Sequence, residues 1–225
     1  MNDLTLKTWL GFLFLAVAMG ILLFVPAGTI RYWQAWVYLG VFFGASLLIT
    51  LYLMKHDPAL LRRRLSGGPT AEKENTQRII MSLASAGFIA SLLVTALGYR
   101  FKWSMAPLYV VLAGDILTAL SFNINFLVFK ENTFSSATVE ISKGQKVIST
   151  GPYALVRHPM YAGGTLLFIG TPLALGSYWG LLAFVAVLPI LIWRLLDEEK
   201  LLARNLPGYV EYCARVRWRL IPRIF

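Results

Sequence analysis

Charged residues are scarce in this sequence: they make up 14% of its 225 residues, whereas 57% are hydrophobic. A soluble domain carries roughly 25% charged residues. The mean hydropathy of +0.64 points the same way. This composition excludes a large separate soluble catalytic domain and indicates a membrane protein.

Cysteine and histidine are almost absent. The one cysteine, Cys213, cannot form a disulfide within the chain, and two histidines, His56 and His158, cannot complete a zinc site without carboxylates. The sequence also lacks a Gly-x-Gly-x-x-Gly motif after a predicted strand, a phosphate loop and a Gly-x-Ser-x-Gly motif. Disulfide scaffolds, zinc enzymes and Rossmann-type cofactor sites are therefore excluded.

Long apolar runs dominate what is present. A helix needs about 20 apolar residues to cross the hydrocarbon core of a bilayer. Six stretches approach this length, the last two being shorter and joined by a tight turn: 9–28, 34–54, 79–98, 106–129, 159–176 and 179–196. The sequence predicts an all-α integral membrane fold with about six transmembrane helices. Four of them lie in 1–129, and the other two form a helical hairpin at 159–196 within the region 130–225.

The formal charge of +10 comes from lysines and arginines that lie mainly in the polar intervals. With the N-terminus inside, 18 of the 21 basic residues fall on the cytoplasmic side, and only Arg31, Arg100 and Lys102 remain outside. Basic loops stay in the cytoplasm. We therefore expect a multi-pass protein of a bacterial or archaeal inner membrane with both termini cytoplasmic, membrane lipids as partners, and neither nucleic acid nor metal bound.

Three polar features need an interpretation. The basic loop 55–78 is typical of a membrane-surface anchor for anionic lipid, with a specific ligand site as the alternative. Asp115 is an acid within a predicted span, which indicates function unless it only satisfies polar neighbours. The tail 197–225 predicts interfacial amphipathic helices, broken at Pro207-Gly208, that close over the cytoplasmic ends of the spans.

The segment from Tyr153 to Tyr161 concentrates ligand-type groups at the start of the fifth apolar stretch. It combines two tyrosines, Arg157, His158 and the helix-starting Pro159. Each residue alone has a structural explanation, since proline is common at a helix start and aromatic residues are common at membrane interfaces. The density of such groups nevertheless makes this segment a candidate site.

The order of several short motifs resembles one family. The motifs are Asn132-Thr133-Phe134-x-Ser, Gly144-Gln145-x-Val147, Gly151-Pro152-Tyr153-x-x-Val156-Arg157-His158-Pro159-x-Tyr161, Arg194-x-x-x-Glu198-Glu199 and Gly208-Tyr209-x-x-Tyr212. They resemble the isoprenylcysteine carboxyl methyltransferases, integral membrane enzymes that use S-adenosylmethionine and are related to phospholipid N-methyltransferases. The resemblance covers 130–225.

The resemblance implies a role for particular residues. The cofactor pocket would be lined by Tyr153, His158, Pro159, Met160 and Tyr161. The nucleoside would be covered by Gln145, Lys146, Val147 and Ile148, with Thr138 as a further contributor. Glu198 would contact the cofactor, and Arg194 would contact the methyl acceptor.

Arg194, Asp197 and Glu198 lie at helix positions i, i+3 and i+4 and so share one face. Besides the role that the resemblance implies, they could form an ion pair within the helix. The planar guanidinium of an arginine suits a carboxylate or phosphate, whereas an amine acceptor requires a base. Carboxyl methylation is therefore favoured.

We expect a methyltransferase that moves a methyl group from S-adenosylmethionine to a lipophilic acceptor, as in isoprenylcysteine carboxyl methylation. Three alternatives remain open at this point: methylation of a phospholipid or other lipid amine, an NADPH-dependent membrane lipid reductase, and a non-catalytic lipid-binding protein.

Overall fold

The computed structural model describes residues 3–141 and 144–225, and over these ranges the fold is all-α, as predicted. The described residues form eight α-helices: α1 (Asp3–Ala27), α2 (Trp33–His56), α3 (Pro58–Leu65), α4 (Asn75–Phe101), α5 (Leu108–Glu131), α6 (Pro159–Ala174), α7 (Leu181–Asn205) and α8 (Tyr209–Arg215). Short 3-10 helices cover Pro69–Ala71 and Gly151–Ala154.

Four helices are long and apolar enough to cross a membrane. They are α1, α2, α4 and α5, with 25, 24, 27 and 24 residues respectively. Each exceeds the roughly 20 residues that a span requires, and each contains one of the first four predicted apolar stretches. The protein is therefore an integral membrane protein.

Helices α6 and α7 form the predicted hairpin but differ from its predicted limits. Helix α6 has only 16 residues and ends at Ala174, whereas α7 continues from Leu181 to Asn205 and carries charged residues in its last turns. The turn between them lies beside the loop that joins α4 to α5. There the backbone N–H of Tyr178 donates to Ser104 Oγ at 3.3 Å, and the indole N–H of Trp179 donates to the Trp103 carbonyl at 3.4 Å.

Helices α5 and α6 pack closely because small residues face one another. A Cβ atom on Gly114 would lie 2.1 Å from the backbone nitrogen of Ala174, and one on Gly170 would lie 2.9 Å from the Gly114 carbonyl oxygen. Small residues allow helix backbones to approach in this way within membranes. The crossing places the start of α6 beside the end of α5, where the site described below lies.

Asp115 is buried in α5, and its two carboxylate oxygens have no hydrogen-bond partner among the described residues. The structural interpretation of this acid required polar neighbours that hydrogen-bond to it. Such bonds are not found over the described ranges. The functional interpretation stays a prediction.

The C-terminal tail folds back onto the start of α6. As predicted, it breaks at Pro207-Gly208, because Gly208 adopts a φ of 84° between α7 and α8. This left-handed conformation favours glycine. Farther along, the N–H groups of Arg157 and His158 donate to the carbonyls of Trp218 and Arg219, both at 2.9 Å. The tail therefore fixes the backbone that leads into α6.

Candidate functional site

A cavity lies where the start of α6 meets the end of α7. It is partly open and measures about 810 Å³ when the adjoining solvent space is included. Its other walls are the loop after α5, the 3-10 helix Gly151–Ala154 and α8. The structure brings together in its lining all eleven residues proposed to hold a cofactor: Thr138, Gln145, Lys146, Val147, Ile148, Tyr153, His158, Pro159, Met160, Tyr161 and Glu198.

Tyr153 forms part of an aromatic wall of this cavity. The turn at Gly151, with a φ of 57°, starts the short helix that carries it. Its hydroxyl accepts a hydrogen bond from Asn132 Nδ2 at 2.9 Å, and its carbonyl accepts one from the Tyr212 hydroxyl at 2.8 Å. Burial raises the pKa of Tyr153. The phenol therefore remains neutral and rigidly held between two elements.

The first turn of α6 forms a second wall. Pro159 occupies the first helical position, where its missing N–H costs no helix bond. Backbone N–H groups in the first turn of a helix have no partner within the helix, and the helix dipole is positive at this end. Because Pro159, Met160 and Tyr161 all line the cavity, this turn can bind an anionic group there.

Glu198 supplies a carboxylate to the cavity. The Tyr161 hydroxyl donates a hydrogen bond to Glu198 Oε2 at 2.6 Å. A bond this short fixes the orientation of both side chains. The pair joins the start of α6 to the C-terminal part of α7, and both side chains line the cavity.

Arg194 is buried and does not line the cavity itself. Its guanidinium donates to Glu72 at 2.6 Å and to Gln77 at 2.9 Å. It lies on α7 one helical turn before Glu198, which does line the cavity. Gln77 in turn donates to Asp197 at 2.5 Å. The ion pair of Arg194 is therefore made with a residue of the first half of the chain, rather than within α7.

Glu199 lies at the centre of an ion cluster behind the cavity. Its carboxylate contacts Arg157 at 3.1 Å, His158 Nε2 at 3.3 Å and Arg219 at 2.9 Å. Arg157 also donates to the carbonyls of Cys213 and Val216. The cluster thus joins α7, the residues before α6 and the C-terminal tail, and it holds His158 at the cavity wall.

The sequence motifs missed part of the lining. The loop after α5 contributes three further residues that the motifs did not single out: Ser135, Val139 and Glu140. The motif that begins at Asn132 marked the start of this loop, but its remaining residues carry no pattern of their own. Glu72, the partner of Arg194, lies 122 positions away from it in the sequence and had no local signal.

Two comparisons with known proteins bear on this site. Residues 109–207 match the family model of phospholipid methyltransferases. The match supports a membrane methyltransferase. It covers α5, α6 and α7 and most of the cavity lining, and it concerns the family that the sequence motifs indicated as a relative of the isoprenylcysteine enzymes.

The chain is also similar to the Delta(14)-sterol reductase TM7SF2 of Mus musculus. The two are 30% identical over 93 residues, which represent 39% of this chain and 22% of the reductase. The chain therefore spans about a fifth of the length of this curated relative.

Proposed function

We propose that the protein transfers the methyl group of S-adenosylmethionine to a lipophilic acceptor. The observation that carries this proposal is the single cavity lined by all eleven proposed cofactor-binding residues at the ends of α5, α6 and α7. The match of residues 109–207 to phospholipid methyltransferases supports the same reaction class.

The chemistry of the lining fits this cofactor. S-adenosylmethionine supplies a methyl group bound to a positively charged sulfonium. The Glu198 carboxylate and the rings of Tyr153 and Tyr161 can stabilise a nearby cation. The first turn of α6 can bind a carboxylate through its free N–H groups, and Val147 and Ile148 offer apolar contacts to a nucleoside. Rate enhancement in a displacement at a methyl carbon comes largely from positioning in such a pocket.

Calorimetry on the protein purified in detergent tests the first step. We expect S-adenosylmethionine and its demethylated product to bind at one site. With tritiated methyl donor, label should then appear in the lipid fraction of membranes that contain the protein. Absence of binding by both molecules would contradict the proposal.

An apolar hollow next to the cavity supports an acceptor with a long hydrocarbon chain. It lies between the C-terminal half of α5, the start of α6 and the tail, and it measures about 1030 Å³ when the adjoining open space is included. Pro159 lines both spaces, and Leu127, Leu155 and Leu220 supply apolar walls. We propose that the acceptor's chain lies in this hollow, so that its polar end can reach the cavity past Pro159.

The nucleophile of the acceptor is proposed to be a carboxylate. Its recognition would use Arg194, whose guanidinium has five N–H donors, of which one bonds to Glu72 and one to Gln77. An amine acceptor, as in phospholipid N-methylation, is the alternative. Treatment of the labelled lipid product with alkali distinguishes them, because a methyl ester releases volatile methanol whereas an N-methyl group remains attached.

The Arg194→Lys variant tests the assigned role of this arginine. Lysine retains the positive charge beside Glu72 but loses the planar, forked donor arrangement. We expect cofactor affinity close to that of the wild type and turnover lower by about tenfold or more, as when an interaction specific to the transition state is lost. Equal losses of cofactor affinity and turnover would contradict a role toward the acceptor.

The similarity to a sterol reductase favours an NADPH-dependent lipid reductase as the second candidate function. The two candidates predict different stabilising ligands, since a ligand that binds the folded state raises the melting temperature. We expect S-adenosylmethionine, and not NADPH, to raise the melting temperature of the detergent-purified protein. If NADPH raises the melting temperature and S-adenosylmethionine does not, the reductase becomes the favoured function.

We propose further that α6 and α7 also cross the membrane, which gives six crossings with both termini in the cytoplasm. Their connecting turn contacts the loop between α4 and α5 at Ser104 and Trp103. Because that loop joins two candidate spans, a turn at the same level supports two more crossings. The charge distribution, with 18 of 21 basic residues inside, supports the orientation.

Labelling of single cysteines in a Cys213→Ser background tests this topology. Ser104→Cys and Tyr178→Cys should both react with an impermeant thiol reagent in intact cells, and Ser66→Cys should react only after lysis. Labelling of Ser66→Cys but not of Ser104→Cys would reverse the orientation. Protection of Tyr178→Cys alone would contradict six crossings. Ser142, another position expected in the cytoplasm, lies outside the described residues.

A further inference from the structure

A cytoplasmic segment of the first half of the chain holds the loop that forms one wall of the cavity. The contacts occur in the same order along this segment and along the loop. Arg63 donates to the Thr133 carbonyl, and Arg64 donates to the Ser136 carbonyl at 3.0 Å. The last contact is an ion pair of 2.7 Å that joins Lys73 to Glu140.

Local helix chemistry presents this segment to the loop. The Asp57 carboxylate accepts a hydrogen bond from the backbone N–H of Leu60 at 2.8 Å and so caps α3. Leu60 and Leu61 are buried in one apolar cluster with Val128 and Phe129 at the end of α5. The segment is therefore anchored by packing as well as by its charges, beyond the surface attachment to lipid that its basic composition predicts.

Glu72 makes the central contacts of this segment. Its side chain is 1% exposed, and each carboxylate oxygen has its own partner. Oε1 accepts a hydrogen bond from Arg194 at 2.6 Å, and Oε2 accepts one from the backbone N–H of Val139 at 3.2 Å. Val139 lines the cavity, and Arg194 lies one helical turn before Glu198, which also lines it.

We propose that Glu72 is a positioning residue of the cofactor site, which fixes the wall at Val139 and the guanidinium of Arg194 at the same time. This inference rests on the proposed methyltransferase function. It adds to the site a residue that lies outside the range 109–207, over which the chain matches the methyltransferase family. The first half of the chain then completes the site rather than only anchoring it.

The substitution Glu72→Gln replaces a carboxylate, whose two oxygens both accept hydrogen bonds, by an amide that can accept at one end only. Glutamine has nearly the same shape, but it offers one acceptor oxygen and one NH₂ group. The NH₂ group must face either the Arg194 guanidinium or the Val139 N–H, both of which are donors. One contact is therefore lost whichever way the amide turns, and a buried donor is left without an acceptor.

Glu74→Gln is the matched control. It makes the same chemical change two positions away, on a residue that is exposed and makes no side-chain capping bond. We expect Glu72→Gln to weaken the binding of S-adenosylmethionine by about tenfold, as for the loss of one charged hydrogen bond, and Glu74→Gln to bind as the wild type does. Calorimetry at equal detergent concentration measures both constants.

A thiol reporter in the wall provides a measurement that does not depend on the cofactor. Ala137 lies in the same loop, and its side chain is so close to Gly67 that a Cβ atom on that glycine would lie 2.6 Å from the Ala137 Cβ. In an Ala137→Cys, Cys213→Ser background, Glu72→Gln should speed alkylation by N-ethylmaleimide about tenfold, because a released loop exposes the thiol. Glu74→Gln should leave the rate unchanged.

The two measurements separate the inference from the function on which it rests. If Glu72→Gln does not change the alkylation rate, the residue does not hold the wall, whatever happens to affinity. If alkylation rises while cofactor affinity stays that of the wild type, the wall contact has no bearing on the site. Both results overturn the inference. Failure of the wild type to bind S-adenosylmethionine refutes the proposed function instead, and the alkylation rates then decide alone whether Glu72 holds the loop.

Discussion

Glu198→Gln is expected to raise the dissociation constant for S-adenosylmethionine by about tenfold to a hundredfold, the range for losing a charged partner of a buried group. The carboxylate lines the cavity and accepts a hydrogen bond of 2.6 Å from the Tyr161 hydroxyl. Removing its charge removes the negative partner proposed for the sulfonium, while glutamine still accepts the bond from Tyr161. Calorimetry with the detergent-purified variant measures the change.

Two further variants test whether this loss of cofactor affinity comes from the charge of Glu198. Tyr161→Phe removes the donor to Glu198 but leaves its charge, so we expect an intermediate loss of affinity. Glu211→Gln removes an exposed carboxylate of α8 and should not change affinity. If Glu198→Gln and Glu211→Gln bind the cofactor equally well, the carboxylate in the cavity does not contact the cofactor.

The membrane fold was predictable from the sequence because each membrane-spanning helix corresponds to a long run of apolar residues. Four long helices coincide with the first four apolar stretches. The last two stretches gave a weaker signal, since α6 is short and α7 continues without a break from apolar residues into the charged segment at Arg194. The periodicity of the apolar residues alone did not show that α7 both packs in the helix bundle and lines the cavity.

The cavity was predictable where its residues lie in compact motifs. His158, Pro159 and Tyr161 are neighbours in the sequence, and the start of α6 brings them to the cavity together. Glu72 was not predictable in this way, because nothing in the sequence distinguishes it from the solvent-exposed Glu74 in the same basic loop. Its burial depends on Arg194 from α7 and on Val139 from another loop. Only the packed structure brings these three segments together.

Glu199→Gln is expected to lower the stability of the protein far more than its neighbour Glu198→Gln does. The Glu199 carboxylate holds Arg157, His158 and Arg219 together, and its side chain is only 13% exposed. Breaking a largely buried pair leaves its partner charges uncompensated. We expect a loss of about 3 kcal/mol in the free energy of unfolding, measured by urea titration in detergent micelles with tryptophan fluorescence.

The pH dependence of this loss tests its electrostatic origin. Burial raises the pKa of the Glu199 carboxyl, but the hydrogen bonds from His158, Arg219 and Arg157 outweigh it and lower the pKa from 4.5 to about 2. A carboxylate with a depressed pKa in the folded state stabilises that state fully above its unfolded pKa, and the stabilisation is lost as the pH falls through the folded value. The stability difference between the wild type and Glu199→Gln should therefore stay constant above about pH 5 and shrink as the pH falls toward 2. A difference that is independent of pH over this range would assign the loss to altered packing of glutamine, because only the charged form of Glu199 can hold the two arginines of the cluster.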